Sequence, residues 1–121
     1  MKKTNPSSSS KDSSFSREPY LYLTTRGRKS GLPREIEIWF TARDGRFYVI
    51  AEYPTSSWVQ NLRADPKVEV RVGKESFAAQ ARFASEPELL RDISALSTEK
   101  YGWGDGTIVE LIPNELRTES R

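Results

Sequence analysis

Neither cysteine nor histidine occurs anywhere in the 121 residues, and methionine occurs once. Without cysteine there are no disulfides and no thiolate metal sites. Without histidine the chain also lacks the commonest metal ligand and the commonest general base near neutral pH. No apolar run approaches the roughly 20 residues that span a bilayer, so no integral membrane segment is expected. The lysines at positions 2 and 3 are followed by serines, not by an apolar stretch, which does not read as a signal peptide. A soluble cytoplasmic protein is the resulting expectation. Charge of one sign is scarce as well: 19 Lys and Arg against 17 Asp and Glu leave a formal +2. That is too little to argue for the basic face through which nucleic acid is usually bound.

What is present suits one domain, since single domains commonly run about 100–150 residues. Thirteen aromatics (five Tyr, five Phe, three Trp) fall almost entirely after Pro19, so the rest of the chain can bury a real core. Residues 1–18 carry seven serines and a single aromatic, Phe15. Such a stretch cannot bury enough apolar surface to offset its ordering entropy, and it reads as a serine-rich tail. The alternative is a short arm that closes over a site with Phe15 as its anchor. The domain is expected over residues 19–116, with 117–121 as a C-terminal tail.

From Tyr20 the sequence takes on a period of two. Residues 20–25 form an aromatic and β-branched run suited to a strand. After a basic loop, residues 35–40 alternate, with Ile36, Ile38 and Phe40 on one face and Glu35, Glu37 and Trp39 on the other. Asp44-Gly45 supplies a hairpin turn, and residues 47–51 return. A short helix follows, with Ser57 as its expected N-cap, Trp58 and Leu62 on one face, and Pro66 marking its end. Val68, Val70 and Val72 alternate in a fourth strand, Gly73-Lys74 turns, and residues 76–83 return. Ser85-Glu86-Pro87-Glu88 reads as a capping box for a second helix, whose apolar stripe is Leu89, Leu90, Ile93 and Leu96 and which should end near Lys100. Residues 107–112 form a last strand after Asp105-Gly106. About six mostly antiparallel strands and two helices make an α+β domain, a small, partly closed barrel or sandwich.

Three stretches could carry chemistry. Residues 26–34 hold four cations and no carboxylate between two strands. Glycines at 27 and 31 let backbone N–H groups turn towards an anion, while Arg and Lys add charge-assisted bonds. Such a loop suits phosphate or a polycarboxylate tail; equally, it could be a solvated hairpin. It is not a P-loop, because the glycine spacing is missing and a strand follows. In residues 57–61, Trp58 could flank a planar ligand, Asn61 could offer its amide, and the helix N-terminus could receive an anion; the competing role for Trp58 is core packing. The run Tyr101-Gly-Trp-Gly-Asp-Gly106 could line a substrate slot, or cap a helix while its aromatics plug the barrel end. Glu35 and Glu37 share a strand face but have no evident partner, so a two-carboxylate hydrolase is discounted.

The order strand, Thr-Thr-x-Gly-Arg-Lys-Ser-Gly-x-Pro-Arg at 24–34, alternating strand resembles the deazaflavin-dependent nitroreductase and quinone reductase family. Those proteins use a split β-barrel related to the flavin mononucleotide-binding barrels. The resemblance continues through the Asp44-Gly45 hairpin and through Trp58-Val-Gln-Asn-Leu-Arg-Ala-Asp-Pro66, similar to the family's Trp-x-x-Asn-Leu-x-x-(Asn/Asp)-Pro segment, and covers about residues 20–112.

The resemblance implies a hydride transfer from reduced coenzyme F-420 to a small electron-poor acceptor such as a quinone, nitroaromatic or enone. It implies that Arg28, Lys29, Ser30 and Gly31 hold the cofactor's phosphate or acidic tail, with Arg34 adding charge. Ile36, Glu37, Ile38 and Trp39 would run beside the ring system, and Ala51, Glu52 and Ser57 would wrap its other side. Trp58 and Asn61 would buttress the pocket. Tyr101 and Trp103 would face the substrate, with Tyr101 as the candidate proton donor. No metal is implied, and pairing into a homodimer follows by analogy with other split barrels. The chain departs from the family at residues 52–57, where a small glycine-rich loop is usual and a bulkier one with a carboxylate, Glu52, stands. FMN as the cofactor therefore stays open, as does a non-catalytic module that carries a flavin or deazaflavin. Binding to single-stranded nucleic acid, by basic residues at 26–34 and Trp39, is the remotest of the readings.

Overall fold

The computed structural model describes Phe15 and residues 17–114. Its elements are β1 (Leu21–Arg26), β2 (Pro33–Ile38), β3 (Thr41–Arg43), β4 (Arg46–Ala51), α1 (Ser57–Ala64), β5 (Lys67–Val72), β6 (Glu75–Phe83), α2 (Pro87–Tyr101) and β7 (Thr107–Pro113). The seven strands form one sheet in the order β2-β1-β5-β6-β7-β4-β3. Every pairing is antiparallel. The sheet curls into a half-barrel, in agreement with the expected α+β split barrel.

Alternation explains the interior. Leu21 and Leu23 of β1, Val68, Val70 and Val72 of β5, Val49 of β4 and Val109 and Leu111 of β7 share one buried cluster. Leu62 enters it from α1, and Trp58 packs against its edge. On the opposite face of the sheet, Tyr48, Ile50 and Ile108 meet Ile93 of α2, flanked by Leu89, Leu90 and Leu96. The stripe expected on the second helix is thus the one it buries. Strand β4 is covered on both faces, which is why five consecutive residues from Phe47 to Ala51 are buried.

The turns follow their chemistry. Asp44 and Gly45 both have positive φ (55° and 77°), as a two-residue hairpin of the primed type demands. Helix α2 ends at Gly102 in the left-handed region, φ 79°.

Three local expectations are corrected. Among the described residues there are seven strands where about six were expected, because the run from 35 breaks at Trp39–Phe40. The Phe40 N–H goes to the Tyr101 hydroxyl, and its carbonyl accepts from Lys100 and Tyr101, so neither group joins a ladder. Ser56, not Ser57, occupies the N-cap of α1, and no side chain caps that end. The capping box at Ser85 does not form. Glu86 is the N-cap of α2, with Pro87 in the first turn, and its carboxylate accepts from the Arg82 guanidinium at 3.0 and 3.2 Å. A charge-assisted bidentate pair outweighs a hydroxyl cap.

Of the segment expected as a tail, residues 1–14 and 16 lie outside the described residues. Phe15 packs edge-on against Phe47, ring centroids 5.4 Å apart. The expected C-terminal tail at 117–121 also lies outside them.

Candidate functional site

The basic loop between β1 and β2 is built around two glycines. The Gly27 N–H donates to the Leu32 carbonyl and the Gly31 N–H to the Gly27 carbonyl, both at 2.8 Å. A Cβ at Gly27 would stand 2.7 Å from Ser30 Oγ, so a side chain there would displace the turn. Gly31 has φ 76°, a conformation that side-chain-bearing residues rarely adopt. Ser30 Oγ accepts the Leu32 N–H at 3.1 Å. The N–H groups of Lys29 and Ser30 are left without an acceptor among the described residues.

Helix α1 fixes this loop through one buried amide. Asn61, 3% exposed, accepts the Arg28 N–H at 3.1 Å and Arg28 Nη1 at 2.9 Å on the same Oδ1. Its Nδ2 donates to Thr25 Oγ1 at 3.1 Å. Strand β1, the loop and the helix are thereby locked by a side chain with both ends satisfied. Between them lies an open groove of about 710 Å³, lined by Gly27, Arg28, Lys29, Ser30, Pro33, Arg34, Glu35, Ile36, Ser57, Trp58 and Asn61.

The charges in the groove are unbalanced. Glu35 is engaged by Arg71 at 3.3 Å, and Arg26, outside the lining, lies 3.8 Å from Asp65. Lys29 and Arg34 have no carboxylate partner among the described residues. Two free cations and two free backbone N–H groups at a water-open surface make a place for an anion.

Eight of the residues singled out in the sequence line this groove: Arg28, Lys29, Ser30, Arg34, Ile36, Ser57, Trp58 and Asn61. Gly31 shapes the loop without lining it. Glu37 lies on the outer face opposite Tyr22. Ile38 turns into the core. Ala51 is buried, and Glu52 is exposed and away from the lining, so its carboxylate does not oppose an anion there.

Trp39, Tyr101 and Trp103 gather elsewhere, where β2 turns into β3. Trp39 is 48% exposed and stacks flat on Tyr101, centroids 4.4 Å apart and planes within 2°. Trp103 meets Trp39 edge-on at 6.4 Å. The Tyr101 hydroxyl lies 2.7 Å from the Pro19 carbonyl, 3.0 Å from that of Phe40 and 3.1 Å from the Phe40 N–H. Burial pushes its pKa above the usual phenol value, against the effect of the Phe40 backbone. A phenol with main-chain partners on every side is poorly placed to release its proton.

Sequence reasoning missed the groove-lining positions of Pro33 and Glu35. It also missed a buried cluster on the outer face. Glu110, 1% exposed, accepts from Arg82 Nε at 2.7 Å, Tyr48 Oη at 2.8 Å and Arg46 Nη1 at 3.1 Å. Burial alone would raise its pKa, but the bonds from Arg82, Tyr48 and Arg46 hold it below the usual carboxylate range. Burial and the Glu110 carboxylate raise the pKa of Tyr48. Only register brings Tyr48, Glu110 and Arg82 side by side, across β4, β7 and β6.

Residues 3–105 match the family described as F420H(2)-dependent quinone reductase. The F420H(2)-dependent quinone reductase Rv1261c of Mycobacterium tuberculosis is 36% identical over 69 residues, covering 53% of this chain and 46% of the relative. The chain thus spans about half the length of the curated relatives it matches. Among solved structures, an F420-H2 dependent reductase, FDR-A, superposes with a TM-score of 0.67 at 22% identity, covering 77% of this chain and 93% of that one. A chain described as a domain-swapped dimer superposes at 0.66 and 23% identity, covering 77% and 79%. At these identities the two superpositions speak for the fold.

Proposed function

The chain belongs to the F420H(2)-dependent quinone reductase family, and from that premise we propose that it is a deazaflavin-dependent oxidoreductase whose groove between the basic loop and α1 holds coenzyme F-420. The observation that carries the proposal is the pair of unpartnered cations, Lys29 and Arg34, beside the free N–H groups of Lys29 and Ser30. These residues fit the phosphate and acidic tail of the cofactor. A solvated hairpin would explain the charges but not the buried amide that holds Arg28 in place. When bound, the cofactor supplies the hydride, so a chain without histidine or cysteine needs no covalent residue of its own.

The remaining work falls to the protein's side chains. Lys29 and Arg34 bind by charge, and the Ser30 N–H by a directed bond. Asn61 orients Arg28. Trp58, half-buried at the core edge and lining the groove, both packs and flanks the ligand. Trp39 and Trp103 offer apolar surface to a quinone, nitroaromatic or enone, and Tyr101 supports that surface from behind. FMN in the same groove is the second reading, since its phosphate would meet the same cations and N–H groups. A homodimer paired through a sheet face is the expected assembly, in line with the dimeric neighbour. Among the described residues no helix is long and apolar enough to cross a membrane.

The test is a fluorescence titration with F-420 and, separately, FMN, followed by turnover of reduced F-420 with a panel of quinones. Micromolar or tighter binding of F-420, weakened about tenfold or more by Lys29→Ala, is expected from the loss of one charge-assisted bond. Tighter binding of FMN would move the assignment to the flavin. Binding of neither would reduce the loop to a solvated turn.

A further inference from the structure

Lys100, the penultimate residue of α2, has no place in the groove, yet it is half-buried at the corner where β2 becomes β3. Its Nζ donates to the Phe40 carbonyl at 3.0 Å. The same nitrogen lies 4.0 Å from the centroid of the Phe40 ring and 5.0 Å from that of Tyr101. Tyr101 in turn stacks on Trp39 and bonds to both main-chain groups of Phe40. One ammonium therefore touches Phe40 and Tyr101 directly and Trp39 through Tyr101. Phe40 is buried in the core, whereas Trp39 stands half-exposed, stacked flat on Tyr101 and met edge-on by Trp103.

We propose that Lys100 is a charge-dependent positioning residue: its ammonium, resting on Phe40 and Tyr101, sets the orientation of Tyr101 and hence of the exposed Trp39 wall. An ammonium is attracted to the faces of both rings, and a neutral amine is not. Loss of the proton therefore removes the attraction to both rings and weakens the bond to the Phe40 carbonyl. Among the described residues, the charged or titratable groups facing Lys100 are Glu18, from the segment before β1, and Tyr101, from its own helix. Burial lowers the Lys100 pKa to about 8, and Glu18 opposes the shift only in part. The switch therefore falls within reach of ordinary solution conditions. A consequence for turnover rests on the reading of the aromatic wall as the acceptor's side; the packing itself does not.

The chain has three tryptophans, at 39, 58 and 103, so the indole N–H signals can be followed one by one in nitrogen-15 correlation spectra without any ligand. The signal lost in Trp39→Phe identifies Trp39. In the unaltered protein that signal should move between about pH 6 and 10, with a midpoint near 8. In Lys100→Met it should be flat and sit at the high-pH position. In Lys100→Arg, which keeps its charge throughout, it should be flat at the low-pH position. A flat signal in the unaltered protein, or the same transition surviving in either variant, overturns the proposal. Should Lys100→Met fail to fold, Lys100→Arg alone decides the matter by the same criterion. In turnover, Lys100→Met should raise the acceptor KM severalfold and leave F-420 binding unchanged. If no acceptor is turned over at all, the oxidoreductase reading fails while the spectra still judge Lys100.

Discussion

On the outer face of β4, β6 and β7, Arg46 and Arg82 converge on one buried carboxylate, whereas beside α1 Lys29 and Arg34 face an open groove with no carboxylate partner among the described residues. Both regions gather cations on the rim of the same barrel. In the first, every oxygen of Glu110 is bonded, Arg82 is also held by Glu86, and the Tyr48 hydroxyl closes the set. Breaking such a cluster strands a buried charge or a buried hydroxyl, so its contribution is to the fold. In the second, the cations keep their hydration until something anionic arrives. Their charge contributes little to folding and remains available for binding. Counting arginines would not separate the two regions; their partners do.

The largest effect should come from the saturated side. Glu110→Gln removes the charge that Arg82 and Arg46 share, and it should lower stability by about 2–3 kcal/mol, read from urea unfolding, without weakening cofactor binding by more than about twofold. A loss of binding with stability intact would erase the distinction between the regions. The same carboxylate makes a signed prediction with pH. Its native pKa is held below the unfolded value, so the native state binds fewer protons, and the contribution is present above the unfolded pKa and lost as pH falls through the native one. Acid unfolding of Glu110→Gln should therefore lack that component.

Asn61→Ala bridges the comparison and should affect both readouts. The Arg28 N–H and Thr25 would lose their buried partner, costing about 1–3 kcal/mol of stability, and Arg28 would lose its anchor, weakening anion binding. Lys29→Ala and Arg34→Ala should each weaken F-420 binding about tenfold or more while unfolding shifts by less than about 0.5 kcal/mol. That binding should fall further as salt is raised. The smallest effect is expected from Arg71→Ala, which frees Glu35 at the groove's edge. The exposed pair contributes at most about 1 kcal/mol, and an unpaired carboxylate should weaken anion binding only slightly.

The alternating valines of β5, the Asp44-Gly45 turn and the apolar stripe of α2 could be read directly, because each depends on residues close together in the chain. The basic loop could be read too, since its glycines and cations are contiguous. The break at Trp39–Phe40 could not. It is caused by Tyr101 and Lys100, some sixty residues away, which take the Phe40 main-chain groups that a strand would have used. The caps failed for a related reason. At Ser85 a nearby arginine competes for Glu86, and the strength of that competition depends on where β6 places Arg82.

What the sequence determined by itself was the class of the fold, the order of its elements and the loop fit for an anion, all of which follow from local periodicity, turn chemistry and contiguous charge. The tertiary structure alone decided which cations are free. At the groove Arg28 is bound by Asn61 while Lys29 and Arg34 have no carboxylate partner among the described residues, and on the outer face Arg46 and Arg82 are bound to Glu110. Charge pairing depends on distance, and here the distances are fixed by strand register and by the seat of α1 on the barrel, which no stretch of neighbouring residues encodes.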